Sequence, residues 1–264
     1  MAHSGSDRDL IKAEISSEFL RTRLHVNQAN SRLDFNDWLF ARLKVHAGES
    51  VLDVGCGTGS QSVVFSKIVG PHGRVCATDI SPESVAELRK NSQEAANLET
   101  AVADMVDLAS LLSNKFTTRS FDLVHSSYAL YYASNHHAVL NAMKSALRPA
   151  GRMAVFSPYR PHGMVELARQ FSALPAIVED SVEFGPATLE PWFRANFWEV
   201  EVHFFQNELT LKSLDDMMAF YRAANYYRAD VEPLIEAEAQ KRLQEHGELK
   251  FAKSGYLIIG SDKR

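Results

Sequence analysis

The sequence predicts an α/β fold: a seven-stranded, mostly parallel sheet with helices on both faces and a small helical cap. Three observations carry this. A short apolar strand, Ser50–Val54, runs directly into a glycine-rich turn. Apolar strands and amphipathic helices then alternate as far as residue 158, the rhythm of parallel βαβ units. Beyond that point the rhythm changes, and two late strands are separated by helices.

The first helix is expected over Asn36–Val45, where Trp38, Leu39, Leu43 and Val45 fall at helical spacing before Ala47-Gly48-Glu49 breaks the pattern. After strand one, Gln61–Ile68 reads as a helix. Strand two, Arg74–Thr78, follows the turn Gly70-Pro71-His72-Gly73. The helix Ser81–Ala95 opens with Ser81 as N-cap, Pro82 in its first turn and acidic Glu83 beside it. Strands follow at Glu99–Ala103, Phe121–Ser126 and Arg152–Ser157, with a helix at His136–Leu147 before the last of these. Helices are then expected at Met164–Leu174 and Leu189–Phe197, a strand at Glu199–Phe205, helices at Leu214–Tyr227 and Glu232–Glu245, and a final strand at Lys250–Gly260. Pro233 and Gly247 mark the bounds of the last helix.

Composition narrows the functions open to such a chain. With 264 residues and 45% hydrophobic content it can bury a sizeable core. Mean hydropathy is −0.20, and no apolar run approaches the roughly 20 residues of a membrane span. The N-terminus lacks the apolar region of a signal peptide and reads as a frayed tail. The two cysteines, Cys56 and Cys76, fall in segments expected to be buried. They supply neither a disulfide framework nor a zinc spacing, so a reducing cytoplasm is the expected setting. A net charge of −5 argues against a nucleic-acid partner, which calls for a basic face.

The informative segment is Val51-Leu52-Asp53-Val54-Gly55-Cys56-Gly57-Thr58-Gly59-Ser60. Glycines at alternate positions let the backbone turn sharply and let a ligand approach main-chain amides, and the next helix adds its N-terminal amides. A nicotinamide fingerprint would need a third glycine where Ser60 stands, and a P-loop would need Gly-Lys-Ser/Thr. Asp79 closes strand two at about the 20-residue spacing of a ribose-binding acid. It could instead cap the next helix, but Ser81 holds that position. Asp104, after Ala101-Val102-Ala103, could accept from an adenine amino group or simply form a turn. Ile80 and Met105 beside these acids could sandwich the ring or belong to the core.

These motifs resemble the class I S-adenosylmethionine-dependent methyltransferases. VLDVGCGTG matches that family's first motif almost letter for letter. ATDIS with Asp79, AVADMVDL with Asp104, FDLVHSSYALYY and LRPAGRMAVFSP resemble the later ones, in order, over residues 36–158. The likeness is greatest to small-molecule enzymes of the ubiquinone/menaquinone-biosynthesis type. One departure is Ala150, which replaces the usual glycine before strand five.

The resemblance implies a Rossmann-like fold, S-adenosyl-L-methionine as cofactor and a small-molecule acceptor. It implies cofactor contacts from Gly55, Cys56, Gly57, Gly59, Asp79, Ile80, Asp104, Met105, Ser126 and Ser127, with Asp53 either supporting the turn or reaching the cofactor amine through water, and closure by Asn30 and Arg32. No metal is expected, because Ser126 stands where catechol-type enzymes place a magnesium ligand. Among candidate bases His162 is preferred. Tyr128 and Tyr131 stand near the expected methyl position, followed by Tyr132, Tyr159, His136 and His137. Met217, Met218, Phe220, Tyr221, Tyr226 and Tyr227 give the cap a soft aromatic face, so an acceptor with an apolar or aromatic body is expected. The expected division is an N-terminal helical segment (1–35) covering the cofactor site, a core (36–212), a cap (213–248) and a last core strand (249–264). No membrane partner is expected, and a monomer or homodimer is. Small-molecule metabolism, secondary metabolism included, is the expected context. A non-catalytic cofactor-binding module and a NAD-linked oxidoreductase are the rival readings.

Overall fold

A computed structural model describes residues 17–92, 95–116 and 120–262; the tail expected at the N-terminus lies mostly outside them. Seven strands form one sheet in the order β3-β2-β1-β4-β5-β7-β6. β1 (Ser50–Val54), β2 (Arg74–Asp79), β3 (Leu98–Val102), β4 (Phe121–Ser127) and β5 (Leu147–His162) run parallel. β7 (Leu249–Ser261) returns antiparallel to β5, and β6 (Glu199–Leu211) pairs antiparallel with β7 along its whole length. The order reverses between β1 and β4, and a switch point of this kind opens a crevice at the carboxyl ends of the strands.

The helices are α1 (Ser17–Asn30), α2 (Phe35–Leu43), α3 (Ser60–Val69), α4 (Pro82–Asn91), α5 (Leu108–Leu111), α6 (His136–Ala146), α7 (Gly163–Arg169), α8 (Ala176–Phe184), α9 (Glu190–Asn196), α10 (Leu214–Arg222) and α11 (Glu232–His246). Their starts follow local chemistry. Ser81 accepts from the Ser84 amide at α4, Asn135 from Ala138 at α6, and Ser213 from Asp216 at α10. Gly247, at φ 75°, closes α11. One buried cluster on the sheet takes Leu52, Val124, Met143, Val155 and Phe193. A second, built from Met217, Met218, Tyr221, Ile235 and Phe251, fastens α10 and α11 to the end of β7. α1 packs on α10 and β6.

Several expectations shift. β6 and β7 are longer than expected because each pairs with the other over 13 residues, from Glu199↔Ser261 to Leu211↔Leu249. α10 stops at Arg222, and Tyr221 Oη accepts from the Arg228 amide at 3.2 Å to hold the turn beyond it. α8 was not expected at all. Its Ile177, Val178 and Val182 are β-branched and fit strand or helix equally well. A helical stretch at Met105–Phe116 was also missed.

Ala150 sits at φ 65°, in the left-handed region, and is exposed. A methyl side chain there costs about 1–2 kcal/mol, partly offset because glycine has more backbone freedom to lose on folding. Ala150→Gly is therefore expected to raise stability by about 0.5–1 kcal/mol. A urea titration showing an unchanged or lower midpoint would refute this.

Candidate active site

The carboxyl ends of β1–β5 open into a cleft of about 880 Å³. Its first wall is the glycine turn. Thr78 O accepts from the amides of Gly55 (2.8 Å) and Cys56 (3.0 Å), and Asp79 Oδ2 accepts from Gly57 at 2.7 Å. Gly55 is at φ 74°, and a Cβ there would lie 2.3 Å from Ala129 Cβ. The residue is glycine for two reasons, conformation and space. Leu20 of α1 lies 3.0 Å from the Cβ position of Gly57, so the N-terminal helix covers the turn.

Asp79 lines the cleft, with Oδ1 taking the Ser81 amide at 2.9 Å. Burial raises its pKa, although these amide hydrogen bonds oppose the rise. Asp104 lines the next position and accepts from the Val106 amide at 3.1 Å, which starts the turn at Met105. The turn-forming reading is thus what the structure shows, on a carboxylate that also lines the cleft. Ile80, 44% exposed, and Met105 both line the cleft, with Met105 Cε 3.8 Å from the Cβ position of Gly55. An isoleucine left this open beside two carboxylates fits a flat apolar ring. The Ser127 hydroxyl is buried on the same wall without a hydrogen-bond partner.

Three expected cofactor contacts stand elsewhere. Asp53 is turned inward: Ser62 Oγ donates to its Oδ2 at 2.5 Å, and His125 Nδ1 lies 2.9 Å from its Oδ1. It braces β1, α3 and β4 beneath the turn. Gly59 caps α3 at φ 86°, where a Cβ would meet Leu88 Cδ1 at 2.2 Å, so it serves packing. Ser126 is fully buried and does not line the cleft, since alternate residues of β4 face opposite sides of the sheet. Cys56 lines the cleft but is no nucleophile, because burial and then the Asp53 and Asp79 charges push its thiol well up.

The far half of the cleft holds the candidate bases. Tyr128, Tyr131 and His162 all line it. Tyr128 (φ 55°) packs edge-on against Phe156, and burial raises its phenol. His162 Nδ1 is buried with no partner. Burial, and then the Lys253 charge, pull its pKa down to about 4. Tyr159 is not part of the site: it stacks on Phe204 and Tyr256. His136 faces Phe184, and His137 is also off the cleft. Asn30 donates to Val26 O within α1, and Arg32 is likewise off the cleft. Of the cap face, Phe220 and Tyr226 reach the cleft, whereas Met217, Met218 and Tyr221 are core. Asn225 Nδ2 donates to Tyr132 Oη at 3.1 Å and ties cap to core.

Residues missed from sequence include Arg23 and Asn27 of α1 and Lys253 of β7. One signal pointed to Lys253: it falls on the inward period-two face Phe251, Gly255, Leu257. Among the described residues no helix is long and apolar enough to cross a membrane, and no His, Cys, Asp or Glu cluster could hold a metal ion.

Comparison with known proteins agrees with this geometry. A family model described as "Methyltransferase domain" matches residues 45–220. A demethylmenaquinone methyltransferase of Lactobacillus johnsonii is 27% identical over 56% of this chain and 62% of its own length. The ubiquinone/menaquinone biosynthesis C-methyltransferase UbiE of Hahella chejuensis is 34% identical over 50% of this chain and 53% of its own. The chain thus spans a little over half the length of these curated relatives. Among solved structures, YcgJ of Bacillus subtilis superposes with a TM-score of 0.58 at 19% identity, covering 87% of this chain and 98% of that one. The [4+2]-cyclase SpnF gives 0.53 at 16%, covering 87% and 81%. At such identities these two likenesses show the fold. The family match spans more than half of the sequence and agrees with the strand order, so the chain belongs to the methyltransferase-domain family, in the class I S-adenosylmethionine-dependent group.

Proposed function

We propose that the protein transfers a methyl group from S-adenosylmethionine to a small molecule with an apolar or aromatic body. The observation that carries this is the meeting of the glycine turn, Asp79 and Asp104 on one wall of a single cleft whose other wall is aromatic. Gly55 and Gly57 leave room for the methionine portion against main-chain amides. Asp79 would accept from the ribose hydroxyls, Asp104 from the adenine amino group, and Ile80 and Met105 would hold the ring. Ser127, with an unsatisfied hydroxyl on the same wall, suits the methionine end. The bound cofactor supplies an electrophilic methyl on a sulfonium. The chain supplies position, worth roughly 7–11 kcal/mol when nucleophile, carbon and sulfur are held in line.

A base is needed only for an acceptor that arrives protonated. His162 is the candidate histidine that lines the cleft: its imidazole is neutral at pH 7, but a pKa drawn down to about 4 makes it a weak base, so the reading asks little proton transfer of it. Residues 17–35 and 213–248 serve in this reading as covers over a core of 36–212 and 249–262, and residues 1–16 and 263–264 of the expected division lie outside the described residues. The quinone ring named for the relatives is one candidate acceptor and a secondary metabolite another. The buried free thiols Cys56 and Cys76 suit a reducing cytoplasm. A monomer or homodimer acting on small molecules rather than nucleic acid is the expected form.

Calorimetric titration with S-adenosylhomocysteine should show micromolar binding, and NADH none. Asp79→Ala should weaken that binding by about 100-fold or more, since charge-assisted hydrogen bonds are lost. Failure to bind S-adenosylhomocysteine would sink the reading, and NADH binding in its place would promote the oxidoreductase.

His162 also makes a stability prediction. Its pKa falls from 6.5 to about 4 on folding, so the unfolded chain binds the proton more tightly. Its contribution is complete above pH 6.5 and declines as pH falls toward about 4. His162→Gln should flatten that part of the urea-midpoint profile; identical slopes in both proteins would show that the imidazole is not buried neutral.

A further inference from the structure

The register of the last three strands places His162 of β5, Lys253 of β7 and Asn207 of β6 in one cross-strand row. All three line the acceptor half of the cleft. Asn207 is committed to structure: it accepts from the Leu33 amide and donates to Leu33 O, pinning the α1–α2 connection. Lys253 is different. Its ammonium donates to Asn27 Oδ1 at 2.6 Å, one use of three available donors. It stands 6.0 Å from the centroid of the Tyr128 ring, and Arg23 of α1 adds a second positive charge nearby.

No carboxylate among the described residues pairs with Lys253. The acids that line the cleft are Asp34, Asp79 and Asp104. Asp34 is used in capping α2, and the other two stand at the ends of β2 and β3. A desolvated ammonium without a counter-charge is costly to hold. Burial, and then Arg23, draw its pKa down only to about 8, so it remains mostly cationic at pH 7. The same cleft is also lined by apolar Phe205, Phe220, Val178 and Val182.

We propose that Lys253 selects the acceptor: the protein takes a small molecule whose apolar body carries an anionic oxygen, a carboxylate or an ionised enol or phenol, and Lys253 pairs with that oxygen. The assignment rests on the small-molecule acceptor reading above and names its substrate class. The anion leaves its proton to solvent before it enters. His162, with Nδ1 unpartnered in the same row, is a second contact for the bound oxygen or its neighbour.

The test uses the full chain saturated with S-adenosylhomocysteine at pH 7 and three probes of similar shape: 4-nitrobenzoate, 4-nitrophenol and neutral 4-nitroanisole. At least one acidic probe should bind about ten-fold or more tightly than the anisole, as expected for a charge-assisted contact. Bound nitrophenol should show the phenolate absorption band. Preference for one acid identifies the oxygen group. Lys253→Met should abolish the preference while leaving S-adenosylhomocysteine affinity within about two-fold, and Lys253→Arg should keep most of it. Equal binding of all three probes, binding of none, or a preference that survives in Lys253→Met would overturn the assignment. A Lys253→Met protein that loses stability and cofactor affinity but keeps its preference would mark the lysine as a strut for Asn27, which also overturns it. Absence of S-adenosylhomocysteine binding to the wild type is a separate result, because it removes the methyltransferase reading itself.

Discussion

The Gly57 amide donates to Asp79 Oδ2 at 2.7 Å, and the carbonyl of Thr78 takes the Gly55 and Cys56 amides beside it. Through these bonds the end of β2 holds the turn that leaves β1. They give the turn its curvature, align α3 behind it and keep the Asp79 carboxylate at the cleft wall despite burial. The two amides that Asp79 accepts from offset part of the cost that burial puts on its charge. The remaining capacity of the carboxylate is offered to the cleft in a fixed orientation, which lowers the ordering cost of binding.

Beneath the turn, Asp53 does the complementary work. Its oxygens take Ser62 Oγ and the His125 ring nitrogen, so α3 and β4 are bolted to β1 directly under the glycines. Phe65 packs on the His125 ring at 5.2 Å and shuts the network from water. An acid in the first motif thus acts on the site through the scaffold. Removing one partner of a buried set like this leaves the others unsatisfied, at about 1–3 kcal/mol each.

What the sequence made legible was local. The need for glycine at 55 and 57 is a matter of backbone angle, and the acids at the ends of strands two and three follow from where those strands stop. The parallel sheet and the two late strands separated by helices followed from rhythm, whereas the strand order is seen only in the structure. Less legible was anything that depends on parity or register. Ser126 and Ser127 are neighbours in sequence, yet one is sealed in the sheet and the other faces the cleft. Asp53 finds its partners 9 and 72 positions away, which a linear motif does not reveal. Lys253 reads in sequence as one more charge in a terminal strand. Only the β5–β7–β6 register brings it beside His162. α8, unseen because its β-branched residues suit either period, supplies Val178 and Val182 to the same wall.

The cleft divides by charge. Asp79 and Asp104 stand at the ends of β2 and β3, the proposed cofactor side, and Lys253, with Arg23 close by, stands across the sheet, while the third acid, Asp34, is used in capping α2. On the proposed assignment a sulfonium donor and an oxyanion acceptor would each meet complementary charge in one cleft. With the cofactor bound, methyl transfer to such an anion would neutralise both charges, because the new bond would use the anion's electron pair and the breaking bond would return a pair to sulfur. Charge is smaller in the transition state than in the bound reactants, and an apolar wall of Phe205, Phe220, Val178 and Val182 favours the less charged state over water's preference for separated ions. On the proposed assignment the lysine would bring the anion in and the apolar lining would favour its neutralisation, while the ammonium's hold on the anion would oppose that step and favour release of the neutral product.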